Sequence, residues 1–259
     1  MASSATLNPQ HAVAINGSSL ASLRVPERQK EAPPTEIELK FYVPEEVGER
    51  LTADRKPIRI TQHVLHSDAV ARLPELQRVA MEYDHSESLT MARVRRSRLP
   101  DGSEKFSLEF KSPRFDDVSR WEVSCRISRE RYNELCKKWS VGAVKKERYT
   151  ISGTIHSSEG SHRVKFQLDK LKAAGPKMKD IAGSFFTADI EVQEKGLIKD
   201  LRKGRHSFEF LKDCVELNSL DDELSKPLSS RTLARKGFGE RQLWAAGKID
   251  KALERSKKR

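Results

Sequence analysis

Residues 36 to 40 read Glu-Ile-Glu-Leu-Lys, with charged and large apolar side chains in strict alternation. Successive side chains of a strand point to opposite faces, so Glu36, Glu38 and Lys40 share one face while Ile37, Leu39 and Phe41 share the other. The pattern returns along the chain. Arg93 and Arg95, Lys105, Glu109 and Lys111, Arg120 and Glu122, Lys146 and Arg148, Lys165 and Asp169, and Asp189 and Glu191 fall on charged faces. Val94, Phe106, Leu108, Phe110, Trp121, Val123, Phe166, Leu168, Ile190 and Val192 fall on the opposite ones. One such strand needs nothing more than a sheet with a solvated face. Solvated faces, however, mix in Thr, Ser and Asn, whereas these positions hold long side chains of both charges. The expected fold is therefore α+β, a closed eight-stranded antiparallel β-barrel with a charged bore and helices packed outside. In a barrel of about eight strands the interior side chains nearly fill the space. Buried charges there must be paired, hydrogen-bonded or bound to ions.

The remaining periodicity fits that plan. Residues 58–65 alternate as a second strand, and a helix is expected around Leu76 and Val79. Residues 89–96 and 105–111 flank Pro100-Asp101-Gly102, which predicts a hairpin. Residues 120–127 form a further strand, after which Ser128 can cap a helix with Tyr132, Leu135, Cys136 and Trp139 on its apolar face. Residues 145–151 and 162–168 make the next pair, and 185–192 is the last clear strand. From 193 the pattern turns helical, through Leu197, Ile198 and Leu201, a compact piece at 208–217 and a second helix at 232–236.

Charged residues make up 34% of the chain and apolar ones 36%, but the apolar ones are concentrated in the alternating runs, so disorder is expected only at the ends. Residues 1–34, rich in Ala, Ser and Pro, are read as a disordered leader, with an organellar transit peptide as the alternative. Residues 35–239 form the folded domain and 240–259 a basic C-terminal tail; residues 231 to 259 carry ten Lys or Arg against three acids. The tail is read as a solvated basic helix end, with contact to nucleic acid as the alternative. A formal net charge of +11 suits an anionic partner. The three cysteines have no metal-ligand spacing, and no window approaches the roughly 20 apolar residues of a membrane helix, so a soluble, cytoplasmic protein without a membrane partner is expected. Oligomeric state is not readable from the sequence.

Glu36-x-Glu38-x-Lys40 resembles the E-x-E-x-K signature of the CYTH domain, also called the triphosphate tunnel metalloenzyme superfamily. The resemblance extends to Ile60-Thr61-Gln62, Arg93-Val94-Arg95, Leu108-Glu109-Phe110-Lys111-Ser112, Arg120-x-Glu122, Arg148, Asp169 and Asp189-x-Glu191. Leu233-Ala234-x-x-Gly237-Phe238 resembles its C-terminal tag, so about residues 35 to 239 are covered. The resemblance implies metal-dependent chemistry on a triphosphate-bearing small molecule. By position, Glu36, Glu38, Asp189 and Glu191 would be metal ligands, with Asp169 as a further acid beside them. Lys40, Arg93, Arg95, Lys111, Lys146 and Arg148 would hold the triphosphate, Glu36, Glu38 and Lys40 would form the catalytic core, and Glu109, Arg120 and Glu122 would complete the wall. Carboxylate oxygens suit Mg2+ or Mn2+, and Arg and Lys suit phosphate oxygens. Transfer of a phosphoryl group to water needs positioning and charge neutralisation more than covalent help.

The chain departs from the family pattern in four places. Gln62-His63-Val64-Leu65 stands where members often carry Q-G-Y-L, so Val64 removes a Lys-Tyr pair as activator of water. Gln167 occupies a frequent acid position, Asp189 is a shorter ligand than Glu, and Arg126 adds a base. The expected activity is triphosphate hydrolysis, inorganic tripolyphosphate ahead of nucleoside triphosphates. Adenylyl cyclisation, RNA 5′-triphosphatase activity and capture of polyphosphate or nucleotide without turnover are the alternatives.

Overall fold

The computed structural model describes residues 30–172, 184–236 and 240–258. Residues 1–29 of the expected leader, and Gly237 and Phe238 of the C-terminal tag, lie outside the described residues. Nine strands run in chain order among them: β1 (Thr35–Val43), β2 (Ile58–Leu65), β3 (Met91–Arg98), β4 (Glu104–Lys111), β5 (Ser119–Arg126), β6 (Ser140–Ser157), β7 (Gly160–Lys172), β8 (Ser184–Val192) and β9 (Val215–Glu216). The helices are α1 (Glu45–Thr52), α2 (Ser67–Val70), α3 (Pro74–Glu82), α4 (Arg129–Trp139), α5 (Lys195–Arg202), α6 (Asp222–Ser225), α7 (Ser230–Lys236) and α8 (Glu240–Lys257).

Strands β1 to β8 form an antiparallel ring in the order β5-β4-β3-β2-β6-β7-β8-β1, closed where Thr35, Glu36 and Ile37 of β1 pair with Trp121, Arg120 and Ser119 of β5. The two-residue β9 adds to Phe41 and Tyr42 of β1 outside the ring, an element too short to leave an alternation in the sequence. Local chemistry sets the connections. At the β3–β4 turn Gly102 takes φ 86°, which a side chain would disfavour, and the Asp101 carboxylate accepts from the Ser103 N–H at 2.8 Å. Ser128 caps α4 by accepting from the Arg131 N–H at 3.1 Å.

The apolar faces point out of the ring and are covered by helices. Leu39, Phe166, Leu168 and Ile190 pack with Val47 of α1 and with Leu197, Ile198 and Leu201 of α5. Val94, Leu108, Phe110 and Val123 pack with Val70, Val79, Tyr132 and Leu135 of α2, α3 and α4. At one end of the ring the inward positions change from charged to apolar. Tyr42, Val144, Leu171 and Phe185 are buried there against Leu233 of α7 and Ala245, Ala246 and Ile249 of α8.

That plug corrects the reading of residues 240–259 as a free tail. Ala245, Ala246, Ile249 and Leu253 recur at helical spacing, and Asp250 accepts a hydrogen bond from the Tyr42 hydroxyl at 3.0 Å. Burial of this stripe holds α8 on the ring, while Arg241, Lys248, Lys251 and Arg255 lie exposed on its other faces. Residues 30–34, expected to belong to the leader, make defined contacts. Lys30 Nζ donates to the Ala80 carbonyl at 2.7 Å, Glu31 bridges to Tyr83, and the Pro34 carbonyl accepts from the Glu122 N–H at 2.9 Å. Among the described residues no helix is long and apolar enough to cross a membrane.

Candidate functional site

Strand register decides which charges meet. Glu36 stands opposite Arg120, Lys40 opposite Asp189, Arg93 opposite Glu109, Lys111 opposite Glu122 and Arg148 opposite Asp169. Each is an acid facing a base across a strand pair, the arrangement that stabilises a sheet face. Glu38 breaks the rule, because β8 places Glu191 directly opposite it. Like charges so placed repel, and the Lys165 registered on the far side of Glu191 is exposed.

Most charges of the bore are neutralised by one another. Lys111 Nζ lies 2.8 Å from Glu36 and also pairs with Glu122, and Arg120 reaches Glu36 with Nε and Glu38 with its Nη2, the latter at 2.9 Å. Arg93 pairs with Glu109 and, at 3.6 Å, with Glu122, and Arg95 lies 3.0 Å from Glu109. Lys40 donates to Asp189 at 2.8 Å, and Arg148 donates to Asp169 at 2.7 Å while lying 3.5 Å from Asp189. Lys146 completes this group at 2.5 Å from Asp169. The cavity enclosed by these side chains has a volume of about 410 Å³.

One oxygen from each of Glu36, Glu38 and Glu191 lies within 4.8 Å of the others. The three cation contacts of Glu38, from Lys40, Arg114 and Arg120, all fall on Oε1. Glu191 makes no ion pair among the described residues; its carboxylate keeps solvent exposure, yet partial desolvation on the inner face, reinforced by the charges of Glu36, Glu38 and Asp189, raises its pKa. Three converging carboxylates, of which Glu191 has no ion pair among the described residues, fit a hard divalent cation, which takes oxygen ligands. Asp189 and Asp169, also expected near the metal, stand outside this convergence and pair with Lys40, Lys146 and Arg148.

The same surroundings set protonation. Burial alone would raise the pKa of Glu109, but the charges of Arg93, Arg95 and Lys111 outweigh it and hold the value at about 2. Burial raises Glu122 to about 7, with a hydrogen bond to Glu36 acting in the same direction. Lys146 is lowered to about 7 by burial and by the neighbouring Arg148, against the pull of Asp169. Glu36 goes the other way: burial opposes ionisation, and Lys111, Glu122 and Arg120 together hold it well below the usual carboxylate range.

Other charged positions lie at the margins. Lys105, Lys165 and Arg126 are exposed: Lys105 and Arg126 sit near strand ends, and Lys165, within β7, lies outside the stretch of that strand that lines the cavity. Gln167 accepts a hydrogen bond from the Arg148 guanidinium. Two contributors escaped the alternation because they stand in irregular segments. Arg114, between β4 and β5, donates to Glu38 at 2.6 Å and to the Asp117 carbonyl at 2.7 Å. Asn218 accepts from the Lys40 N–H at 2.7 Å and donates to the Asp117 carbonyl at 2.8 Å, tying β1 to that loop. Spacing carries no signal for either; Arg114 stands out only as a third base near Lys111 and Arg120.

No family model matches the chain, and no curated protein matches it. Among solved structures, it is similar to HpAC1 from Hippeastrum, a protein named for adenylyl cyclase and described as having a dominant triphosphatase activity. That match has 17% identity and a TM-score of 0.41 and covers 69% of this chain and 87% of the other. It is also similar to NE1496, described in one structure as a hypothetical protein and in another as an inorganic triphosphatase. Both of those matches have 17% identity and a TM-score of 0.38 and cover 77% of this chain, with 97% and 94% of the other chains. Likeness at that level carries no functional weight beside the side chains of the bore.

Proposed function

We propose that this chain is a member of the CYTH superfamily and hydrolyses triphosphates with the help of Mg2+ or Mn2+. The observation that carries the reading is the convergence of Glu36, Glu38 and Glu191 at one side of a cavity otherwise walled by paired cations. Bound there, a divalent ion would neutralise phosphate oxygens and the repulsion between the three carboxylates. Lys40, Arg93, Arg95, Lys111, Arg120 and Arg148 are placed to hold a linear polyanion, each shifting part of its pairing from a wall carboxylate to a phosphate oxygen. Ring closure fixes these groups on strands, which suits a reaction that depends on positioning and charge neutralisation.

The test is phosphate release from tripolyphosphate, ATP, thiamine triphosphate and triphosphate-ended RNA, each with Mg2+ and with Mn2+. Release from at least one substrate is expected, abolished by chelation and lowered roughly 100-fold or more by Glu38→Ala. Folded protein that releases no phosphate from any of them with either metal would contradict the reading.

A further inference from the structure

Arg241, Trp244, Lys248, Lys251 and Arg255 of α8 follow one another at intervals of three and four residues. At 3.6 residues per turn they fall within an arc of about 80° and make a straight row about 21 Å long. Ala245, Ala246 and Ile249 are buried against the plug on the opposite side of the helix, so the row faces away from the ring. All four bases are exposed, and none makes an ion pair among the described residues. No acid between Arg241 and Arg255 shares the arc: Asp250 accepts from Tyr42 on the plug side, and Glu254 lies about a quarter turn away. Trp244 is 42% exposed, whereas Trp121 and Trp139 are partly buried, and Lys248 Nζ stands 5.9 Å from the centre of the Trp244 ring.

Like charges three and four residues apart on a helix repel, and an indole left in water gains nothing from the hydrophobic effect. A negatively charged plane relieves both at once, because a straight row lets every member touch it. Bases in such a row attract anionic headgroups, and tryptophan favours the depth at which headgroups meet acyl chains. We infer that the outer face of α8 docks on a bilayer containing anionic lipid, with Trp244 among the headgroups and Arg241, Lys248, Lys251 and Arg255 on their charges. No spanning segment is required. The apolar stripe of α8 stays on the ring, so the contact is shallow, electrostatic and sensitive to salt. A nucleic acid fits the row less well: single strands are held by several stacked aromatics and base edges are read by amide side chains, whereas the row offers one aromatic and no Asn or Gln. α8 covers the end of the ring at Tyr42 and Phe185, while Pro34, Thr35 and Glu191 line the bore at its other end. Docking through α8 therefore turns the Glu191 end of the bore toward solution, whatever reaction the bore performs.

Co-sedimentation of the full chain with vesicles tests this, comparing pure phosphatidylcholine with phosphatidylcholine containing about one-third phosphatidylserine. Binding is expected to the anionic vesicles alone and should weaken as salt rises. The double variant Lys248→Gln, Lys251→Gln should bind roughly tenfold or more weakly, and Trp244→Ala about fivefold more weakly. Tryptophan emission should move to shorter wavelength when the parent binds and stay in place in Trp244→Phe. Arg59→Gln with Arg98→Gln, an exposed pair registered opposite one another on β2 and β3, removes the same charge elsewhere and should keep the parental affinity. Thermal melting of each variant checks folding. A folded parent that does not bind anionic vesicles, or binding that falls equally in the Arg59, Arg98 variant and the Lys248, Lys251 variant, overturns the inference. So does a single-stranded RNA oligonucleotide that displaces the chain from vesicles through the same residues, which would assign the face to nucleic acid.

Discussion

Glu191 and Glu109 are both carboxylates on the inner face of the ring, and their surroundings push them in opposite directions. Glu191, opposite Glu38 and without an ion pair among the described residues, has a raised pKa. The stability linked to it is present below its unfolded pKa and is lost as pH rises through the folded one. Without metal, Glu191→Gln should therefore be slightly more stable than the parent at neutral pH in chemical denaturation, the margin being small because the side chain is exposed to solvent. A destabilised variant would mean that Glu191 has a partner and is not repelled. Glu109, lowered from 4.5 to about 2, contributes stability that is present above the unfolded value and lost as pH falls toward 2, roughly 3 kcal/mol in all. Glu109→Gln should lose roughly 3–5 kcal/mol at pH 7 by stranding Arg95 and leaving Arg93 with Glu122 alone, and should show a shallower decline between pH 4.5 and 2. Parallel acid limbs for parent and variant would remove Glu109 from the account.

Among the elements, α7 and α8 do most to turn a ring into a site closed at one end, and Gly142 is where α7 meets it. A Cβ at Gly142 would stand 1.7 Å from the Ala234 carbonyl oxygen, a contact that backbone on both sides cannot relax cheaply. Gly142→Ala should cost about 2 kcal/mol or more and expose the C-terminal segment to limited proteolysis. A protease-resistant variant with parental stability would show that α7 docks elsewhere. The strands themselves were legible because period-two alternation survives in β1, β3, β4, β5, β7 and β8, where one face is charged and the other apolar. Closure was not legible from any one strand, since it rests on three residue pairs between β1 and β5, far apart in sequence. The plug was hidden for a different reason: Tyr42, Val144, Leu171 and Phe185 break the charged pattern at strand ends, where they read as boundaries. In α8 the abundance of Lys and Arg masked a short apolar stripe at helical spacing. The alternation brought Glu36, Glu38 and Glu191 to one face, but only register separates them from Asp169 and Asp189.

For the whole molecule, the ring inverts the usual arrangement, with apolar faces outward under helices and opposite charges inward around one cavity. Those internal charges nearly cancel one another, whereas the formal charge of the chain is +11. Much of the net positive charge thus lies outside the bore, where salt screens it. Affinity for a triphosphate analogue should fall as salt rises from 50 to 500 mM, more steeply than the metal affinity of the protein alone. Equal salt dependence of the two would place the steering charge at the metal site instead. The central claim, that the three carboxylates hold a divalent cation beside a polyanion track, is tested most directly by titrating Mn2+ into the full chain and following its electron paramagnetic resonance. The parent should bind the ion, and Glu38→Ala and Glu191→Gln should each weaken binding roughly tenfold or more while remaining folded. Absence of binding in the folded parent, or binding that neither substitution alters, would contradict it.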